Sequence, residues 1–465
     1  MKICNDSIKQ AIDGGLNHLE ITPEQKQAIL AQCRPSVTAT RPRVVLLKRA
    51  IAVAAAAAVF TVGGAGVLAQ NPDLARRLGP LGNAAVSLLQ PVDQVSVDNG
   101  IRMEVLAALS TDDVTAVYLI LQDTTGQGRV TADVDLRHIS ISGATFSHAQ
   151  VIDYDEISGA ATICLTGEGG EMDDRKISVT LRSFLSGWDY QVDAGPVAYG
   201  PEALAQLGLP APQKDPSAEI HSYSSLGENS LIPEHGSEDL PVLLPSDDGV
   251  PLPGAPWVQI TAAGVVDGAL HIQLLHDDQL GLYNQITFYL TDAEGNEPET
   301  PNAVAEIGES IKIAPHWNVC RRQEHILQLP EGVDPQDLRL HYDLSTYQAC
   351  QKGNWSVAFT LEPADEPLTL SCPMHLSGWD AETMQISPLG IALYGRADGS
   401  DTIAGADSVV IRLKDGTTAE FWSSSSTMVG NDIVNRQLFT RPLDLSQIES
   451  VTVNDVALDL PKAAE

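Results

Sequence analysis

The chain has 465 residues, with 28 Lys and Arg against 61 Asp and Glu and a formal net charge of −33. At roughly 100–200 residues per domain, this length predicts several folding units with sizeable cores. The acidic balance argues against nucleic acid as a partner, because phosphate binding needs clustered cations. A hydrophobic fraction of 43% is too high for a wholly disordered acidic chain, so most of the chain is expected to fold.

Residues 50–69 contain no charged side chain, and Thr61 is their only polar one. As a helix this run would be about 30 Å long, which matches the hydrocarbon core of a bilayer. The sequence therefore predicts one transmembrane helix at 50–70, with the lipid bilayer as its partner. A buried alanine-rich helix and a cleaved signal peptide ending at Ala69 are the alternatives.

The charge of the chain changes sign across this apolar run. Residues 1–49 carry eight cationic and four acidic side chains, a net of +4, which leaves −37 for the remainder. Four of the cations directly precede the run: Arg41, Arg43, Lys48 and Arg49. The positive-inside rule then predicts a single-pass cell-membrane protein with a cytoplasmic N-terminus and an extracellular region from residue 71 onward.

The predicted cytoplasmic segment, 1–49, has the pattern of two short helices. Thr22 followed by Pro23 and Gln25 is typical of a helix N-terminus. The apolar stripe after it is too small to stabilise a domain alone, so the segment is either a docking site for a cytoplasmic partner or a solvated tail. The candidate partner contacts are Thr22, Ile29, Leu30 and Cys33.

Beyond the predicted span the pattern changes from helix to strand. Short apolar or alternating runs recur between turn sequences, which is typical of antiparallel sandwiches. Examples are residues 101–105, 117–121, 177–181, 270–274, 286–290 and 409–413. The predicted fold class is mostly β, with tandem immunoglobulin-like sandwiches outside the membrane. The predicted segments are 71–92 (juxtamembrane, helical), 93–200 (first β domain), 201–256 (Pro/Ser-rich linker), 257–370 (second β domain) and 371–465 (third β domain).

Internal similarity indicates repeated β modules. The string LSGWD occurs identically at 185–189 and 376–380, and an Asp-x-x-Gly turn follows the strands at 117–121 and 286–290. The register between the modules is ambiguous, because residues 187–192 align as plausibly with residues 354–359.

Several segments resemble a known family, namely 71–75 (NPDLA), 78–82 (LGPLG), 95–101 (VSVDNGI), 385–393 (QISPLGIAL), 413–416 (LKDG) and 442–451 (PLDLSQIESV). The family comprises bacterial single-pass membrane proteins with an extracellular domain of unknown function. They are often described as anti-sigma factors, or negative effectors of extracytoplasmic-function sigma factors, with a C-terminal immunoglobulin-like module. The resemblance implies a regulatory sensor whose outer modules bind an envelope ligand and whose cytoplasmic segment sequesters a sigma factor.

The chain departs from the zinc-containing members of that group, because residues 1–49 lack a His-x-x-x-Cys-x-x-Cys signature. A sigma factor would therefore have to contact the helical region 21–34. The alternative function is a cell-surface binding or adhesion protein that has no signalling role.

Sequence motifs for catalysis are missing. There is no Gly-x-Ser-x-Gly, phosphate-binding loop, dinucleotide fingerprint or His-Glu-x-x-His, so we predict no enzyme activity, no cofactor and no metal site. His271 and His276 precede Asp277 and Asp278, which a strand end entering a polar loop explains better than a metal site does.

Four cysteines fall in the predicted extracellular region, where disulfides can persist: Cys164, Cys320, Cys350 and Cys372. The favoured pair is Cys320 with Cys350, within the second predicted β domain. Free buried thiols are the alternative, because a chain of this size can fold without a disulfide.

Overall fold

A computed structural model describes residues 72–461, with gaps at 112–113, 171–175, 195–206, 226–230, 232–239, 277–279, 299, 315–316, 363, 365, 400–404 and 407. The predicted cytoplasmic segment 1–49 and the predicted span 50–70 lie outside these residues. The same holds for the candidate partner contacts Thr22, Ile29, Leu30 and Cys33. Within the described ranges, no helix has the length and apolar character needed to cross a bilayer.

The described chain is mostly β. It begins with two short helices, α1 (Pro72–Arg77) and α2 (Asn83–Val86). The strands are β1 (Gln90–Asp98), β2 (Ile101–Ser110), β3 (Val114–Asp123), β4 (Ile139–Ile141), β5 (Ala144–Asp155), β6 (Ala160–Gly170), β7 (Lys176–Gln191), β8 (Ile220–Ser224), β9 (Val250–Leu252), β10 (Ala255–Val266), β11 (Ala269–His276), β12 (Gln285–Thr291), β13 (Asn302–Ala314), β14 (Trp317–Gln328), β15 (Arg339–Thr360), β16 (Leu368–Leu376), β17 (Trp379–Ser387), β18 (Gly390–Ala397), β19 (Val409–Leu413), β20 (Phe421–Val429), β21 (Asp432–Phe439), β22 (Ile448–Val453) and β23 (Val456–Leu458).

These strands form several sheets, and their pairings are antiparallel. The front sheet has the order β1-β2-β3-β6-β5, and the shared sheet has the order β12-β15-β7-β4. The six-stranded sheet has the order β8-β13-β14-β11-β10-β9. The C-terminal part has a five-stranded sheet, β16-β17-β18-β21-β20, and a three-stranded sheet, β19-β22-β23. Hairpins and meanders of this kind leave one face of a sheet free to pack on another.

The first hydrophobic core lies between the front sheet and one part of the shared sheet. Alternate residues of β2, β3 and β6 meet residues of β4, β7 and β15. Its larger members include Met103, Leu119, Ile163, Val179, Phe184 and Trp355. This face-to-face contact makes the first sandwich-like layer pair, because each sheet buries one side of its strands in the other.

The second core lies between the six-stranded sheet and the other part of the shared sheet. Members include Ile260, Ile272, Leu274, Phe288, Leu340 and Leu344. Strand β15, with 22 residues, connects the two cores. Its residues 339–345 pair with β12, and its residues 344–360 pair with β7. The predicted segment 257–370 therefore contributes a strand to the core of the predicted segment 93–200.

The helical segment packs on the front sheet. Leu78 and Val86 are fully buried there, against Leu106 and Tyr118 of the sheet. Gly82, with a φ of 79°, separates the two short helices at a backbone conformation that other residues seldom adopt. Leu389, in the turn between β17 and β18, and Leu438 of β21 also join this cluster, so the front sheet is covered on both faces.

The C-terminal part, from β16 to β23, has its own core. Residues from its five-stranded and three-stranded sheets meet there. The fully buried members include Cys372, Trp379, Met384, Leu393, Ile411 and Val451.

Parts of the predicted linker 201–256 are packed. β8 pairs with β13, and the hydroxyl of Tyr223 donates to the carbonyl oxygen of Leu240 at 3.0 Å. Val242 and Leu243 are both buried. Apolar side chains within this Pro-rich and Ser-rich stretch therefore bind it to the six-stranded sheet, which composition alone does not indicate.

The two copies of LSGWD have different structures. At 185–189 the string runs through β7, and Trp188 is exposed. At 376–380 it forms the turn between β16 and β17, where Leu376 pairs with Trp379 and Trp379 is fully buried. The identical strings therefore do not mark equivalent positions of a structural repeat.

The four described cysteines are free thiols, in contrast to the predicted Cys320–Cys350 disulfide. Cys320 belongs to the six-stranded sheet, and its Sγ lies 3.4 Å from the carbonyl oxygen of Gly308. Cys350 belongs to the shared sheet, and burial raises the pKa of its thiol. The two residues of the favoured pair therefore lie on two different sheets.

Candidate functional site

Two aromatic side chains of β7 stand in solvent on the shared sheet. Trp188 is 48% exposed and Tyr190 is 51% exposed. Their rings are nearly parallel, with an angle of 13° between the planes and 6.2 Å between the centroids. Adjacent exposed aromatic rings are a common mark of a binding surface, because their large apolar area is otherwise costly in water.

Hydrogen bonds to β15 hold both rings in place. The indole Nε1 of Trp188 donates to Ser345 Oγ at 2.8 Å, and the Tyr190 hydroxyl donates to Asp343 Oδ2 at 2.7 Å. Gly187 precedes the pair with a φ of 69°, a conformation that favours glycine. The polar atoms of the rings are thus paired within the sheet, while the ring surfaces face solvent.

A second stacked pair lies on the same face. The rings of Tyr289 on β12 and His341 on β15 are 5.2 Å apart at an angle of 15°. Residues 341, 343 and 345 of β15 alternate with Leu340, Tyr342 and Leu344, which are buried in the second core. Because successive side chains of a strand point to opposite faces, the odd-numbered ones point away from that core.

We call this face the aromatic strip. It consists of Trp188, Tyr190, Tyr289, His341, Asp343 and Asp193.

Asp193 connects the two ring pairs of the aromatic strip. Its backbone N–H donates to Asp343 Oδ1 at 2.8 Å, and its own Oδ1 lies 3.0 Å from Nδ1 of His341. His341 Nε2 lies 2.9 Å from Oγ1 of Thr291. The strip is therefore a continuous hydrogen-bonded surface with preset ring positions.

The electrostatic environment of the strip is negative. The hydrogen bond to Asp343 raises the pKa of Tyr190. Burial raises the pKa of Tyr289, and the charges of Asp343, Asp193 and Glu297 raise it further. Both phenols therefore stay neutral, and the carboxylates supply the charge on this face.

A small cleft lies at the same end of the shared sheet. Its volume is about 240 Å³, and its wall includes Gln191 of β7 and Thr346 and Tyr347 of β15, together with Trp257 and Asn284. The cleft can hold only a small group, because drug-sized ligands occupy roughly 300–1,000 Å³.

One wall of this cleft is held by Tyr347. Its hydroxyl donates to Asp135 Oδ2 at 2.8 Å, and the Arg137 guanidinium lies 5.9 Å from the ring centroid. The backbone N–H of Tyr347 donates to Asn284 Oδ1 at 2.9 Å. These bonds fix the wall beside the strip.

The residues predicted from sequence as site candidates do not lie in this strip. Cys320 and Cys350 are elsewhere, and Thr22, Ile29, Leu30 and Cys33 lie outside the described residues. The available signal was the alternation Trp188-Asp189-Tyr190, which places two aromatic residues on one side of a strand. Alternation does not say whether that side is core or solvent.

The candidate pair His271 and His276 has structural partners. His271 is buried and its Nδ1 lies 2.7 Å from Glu324 Oε1, while His276 contacts the carbonyl oxygen of Gly281 at 3.1 Å. Among the described residues, no group of three or more His, Cys, Asp or Glu side chains is arranged to hold a metal ion.

Comparisons with known proteins give weak similarities. No family model matches the chain, and no curated protein matches it. Among solved structures, the conserved domain protein from Bacillus anthracis is similar over 80% of this chain and 78% of its own, with 9% identity and a TM-score of 0.31. The Escherichia coli adhesin FdeC is similar over 74% of this chain and 88% of its own, with 10% identity and a TM-score of 0.11.

Proposed function

We propose that this chain is a single-pass membrane protein whose extracellular β modules, immunoglobulin-like in type, bind an envelope ligand through the aromatic strip. In this proposal the predicted span at 50–70 anchors the chain, and the excess of positive charge before it favours a cytoplasmic position for residues 1–49. In this proposal the bound state of the strip is passed to a sigma factor held by the cytoplasmic segment, as in the family that the sequence resembles.

The observation that carries the binding function is the exposed pair Trp188 and Tyr190. Each ring is held by a hydrogen bond to β15, so little side-chain freedom is lost when a ligand covers it. The pair lies on the sheet that contributes to two cores, which gives it a rigid support. A rigid exposed aromatic surface is suited to recognition.

An envelope-binding assay tests this function. Purified full chain in detergent is mixed with cell envelopes of the host bacterium and sedimented. We expect the double variant Trp188→Ala, Tyr190→Ala to bind at least tenfold more weakly than the unchanged chain. The matched control replaces Met428 and Val429, which are 56% and 74% exposed on β20, by alanine. Equal binding by the ring variant and the unchanged chain would overturn the proposed role of the strip.

A labelling experiment tests the orientation. Ile157 is 99% exposed in the turn between β5 and β6, so Ile157→Cys supplies a reactive thiol. In intact cells an impermeant maleimide should label this variant, whereas Cys33 should react only after the membrane is opened. Native Cys164 is a poor reporter because it is buried. Labelling of Cys33 in intact cells would reverse the proposed topology.

The signalling part separates the proposal from the alternative of surface binding or adhesion. A sigma factor should co-purify with the detergent-solubilised full chain. Replacing Ile29 and Leu30 by aspartate should abolish that association without changing envelope binding. If no sigma factor co-purifies, the anti-sigma role fails and a binding or adhesion protein remains.

A further inference from the structure

We infer that the aromatic strip binds a linear polyamine, a flexible chain of ammonium groups separated by short methylene spacers. This inference rests on the proposed binding function and names its ligand class. Three features of the strip support this inference: its polar atoms are already paired, the Asp343 carboxylate has no charged partner among the described residues, and its ring pairs are regularly spaced.

The hydrogen-bonding groups of the strip are already engaged with one another. Trp188 Nε1 bonds Ser345, the Tyr190 hydroxyl bonds Asp343, and His341 contacts Asp193 and Thr291. A sugar needs many donors and acceptors for its hydroxyls, and a peptide needs them for its backbone. The strip offers such ligands few partners. What it offers is ring faces and negative charge, which recognise an ammonium group.

The charge of the strip is complementary to a cation. Asp343 and Asp193 lie between the ring pairs. The bonds shown for Asp343 within the described part of the chain come from the Tyr190 hydroxyl and the backbone N–H of Asp193. Neither partner carries a charge, so the Asp343 carboxylate keeps its negative potential. With aromatic faces beside it, an ammonium group gains both Coulomb and cation–π attraction.

The spacing of the strip fits several ammonium groups. Outward-facing positions on one strand repeat about every 7 Å. Residues 341, 343 and 345 of β15 therefore extend over about 14 Å, with a ring pair at each end. A polyamine can lie along this line with ammonium groups near successive aromatic or carboxylate side chains, and its methylene spacers can contact the rings.

Isothermal titration of the full chain in detergent with spermidine, at low ionic strength, tests this assignment. We expect saturable binding that weakens as salt is added. The double variant Trp188→Leu, Tyr190→Leu should bind about tenfold more weakly, because it keeps apolar area but removes both ring faces. Trp188→Phe should retain most of the affinity. Asp343→Asn should weaken binding severalfold, whereas Asp432→Asn, on the exposed start of β21, should not.

Two other probes decide between ligand classes. A neutral cello-oligosaccharide or a lysine-rich peptide that binds more tightly than spermidine, with the same dependence on Trp188 and Tyr190, would overturn the polyamine assignment. Absence of spermidine binding would also overturn it. If envelope binding still depended on the rings in that case, the proposed binding function would stand and only the ligand class would fail. Thermal unfolding of each variant confirms that the compared proteins are folded.

Discussion

The indole Nε1 of Trp355 donates a hydrogen bond of 2.9 Å to the carbonyl oxygen of Ile101, and the two residues are 254 positions apart. Trp355 is fully buried in the first core, where its ring lies 5.9 Å from that of Phe184. The N-terminal sandwich is therefore completed by a strand that the chain supplies much later. Its stability depends on β15 as much as on its own sequence.

Replacing this indole should destabilise the first sandwich. Trp355→Ala is expected to lower the free energy of unfolding by about 3–5 kcal/mol, because it leaves a cavity and removes the indole hydrogen bond to Ile101. Trp355→Phe should cost less, since it keeps most of the packing. Denaturant titration gives the energies, and hydrogen exchange should show lost protection in β2 and β6. Unchanged protection of β2 in the alanine variant would contradict the shared core.

A buried carboxylate holds the packed part of the 201–256 segment. Glu324 has no exposed surface, and its oxygens accept from the backbone N–H of Leu243 at 2.9 Å and from Gln273 Nε2 at 2.9 Å. Nδ1 of His271 lies 2.7 Å from it. The carboxylate thus joins the six-stranded sheet to a segment that crosses it.

Removing that carboxylate should release the crossing segment. Glu324→Ala leaves the Leu243 N–H and one of the two N–H groups of the Gln273 amide buried without an acceptor, so a loss of about 3–5 kcal/mol is expected. The amide of Leu243 should exchange much faster in the variant. The exposed Glu331→Ala is the matched control and should change neither quantity. Retained protection at Leu243 would show that apolar contacts alone hold the segment.

The strand content of the chain could be predicted, because it follows from local patterns. Residues 101–105, 117–121, 177–181 and 286–290 all lie in strands, as their apolar runs and turn sequences indicate. The mostly β class is confirmed. The pairing of those strands could not be predicted from local patterns, because β7 and β15 are distant in sequence. The 22-residue strand β15 also contributes residues to two cores.

The candidate site was harder to predict than the fold. LSGWD places a buried tryptophan at 379 and an exposed one at 188, so the string itself carries no information about exposure. Exposure depends on which sheet covers the strand, and that is set by distant residues. The hydrogen bonds from the rings of Trp188 and Tyr190 to β15 also join residues more than 150 positions apart.

A first acid-sensitive contact joins α1 to β2. Glu104 is bonded to both Arg77 and Arg102, and Arg77 Nη1 lies 2.9 Å from Oε1. Burial alone would raise the pKa of Glu104, but the hydrogen bonds and charges of the two arginines lower it to about 2. A carboxyl whose pKa is lower in the folded state stabilises the fold above pH 4.5 and loses that contribution as the pH falls toward 2.

The unchanged chain should therefore lose more stability in acid than a variant without this carboxylate. Between pH 5 and pH 2, the free energy of unfolding should fall by about 2 kcal/mol more in the unchanged chain than in Glu104→Gln, allowing for solvent screening of the partly exposed arginines. Denaturant titrations across this range give the difference. Glu449→Gln, on an exposed position of β22, should follow the unchanged chain. If the free energy of unfolding of Glu104→Gln fell with pH as steeply as that of the unchanged chain, the pairing of Glu104 with the two arginines would contribute nothing to stability.

A second titratable group, His325, makes stability depend on pH in a higher range than Glu104 does. His325 is buried on β14, with its ring 5.0 Å from that of Phe288. Burial, together with the nearby charge of His276, lowers the pKa of His325 from 6.5 to about 3. The folded chain keeps this ring neutral while the unfolded chain protonates it below pH 6.5. Stability should therefore fall as the pH drops from 6.5, before Glu104 begins to titrate.

Removing His325 should reduce the loss of stability between pH 6.5 and pH 5. Between pH 6.5 and pH 5, the unchanged chain is expected to lose stability at a slope approaching 1.4 kcal/mol per pH unit, and His325→Leu should lose less. His375→Gln is a control that should change the pH dependence of stability in the opposite direction, because a hydrogen bond to Asp380 raises the pKa of that exposed histidine. His375 stabilises the fold below pH 6.5 and stops doing so at higher pH. If His325→Leu kept the full slope between pH 6.5 and pH 5, another buried group would have to cause it.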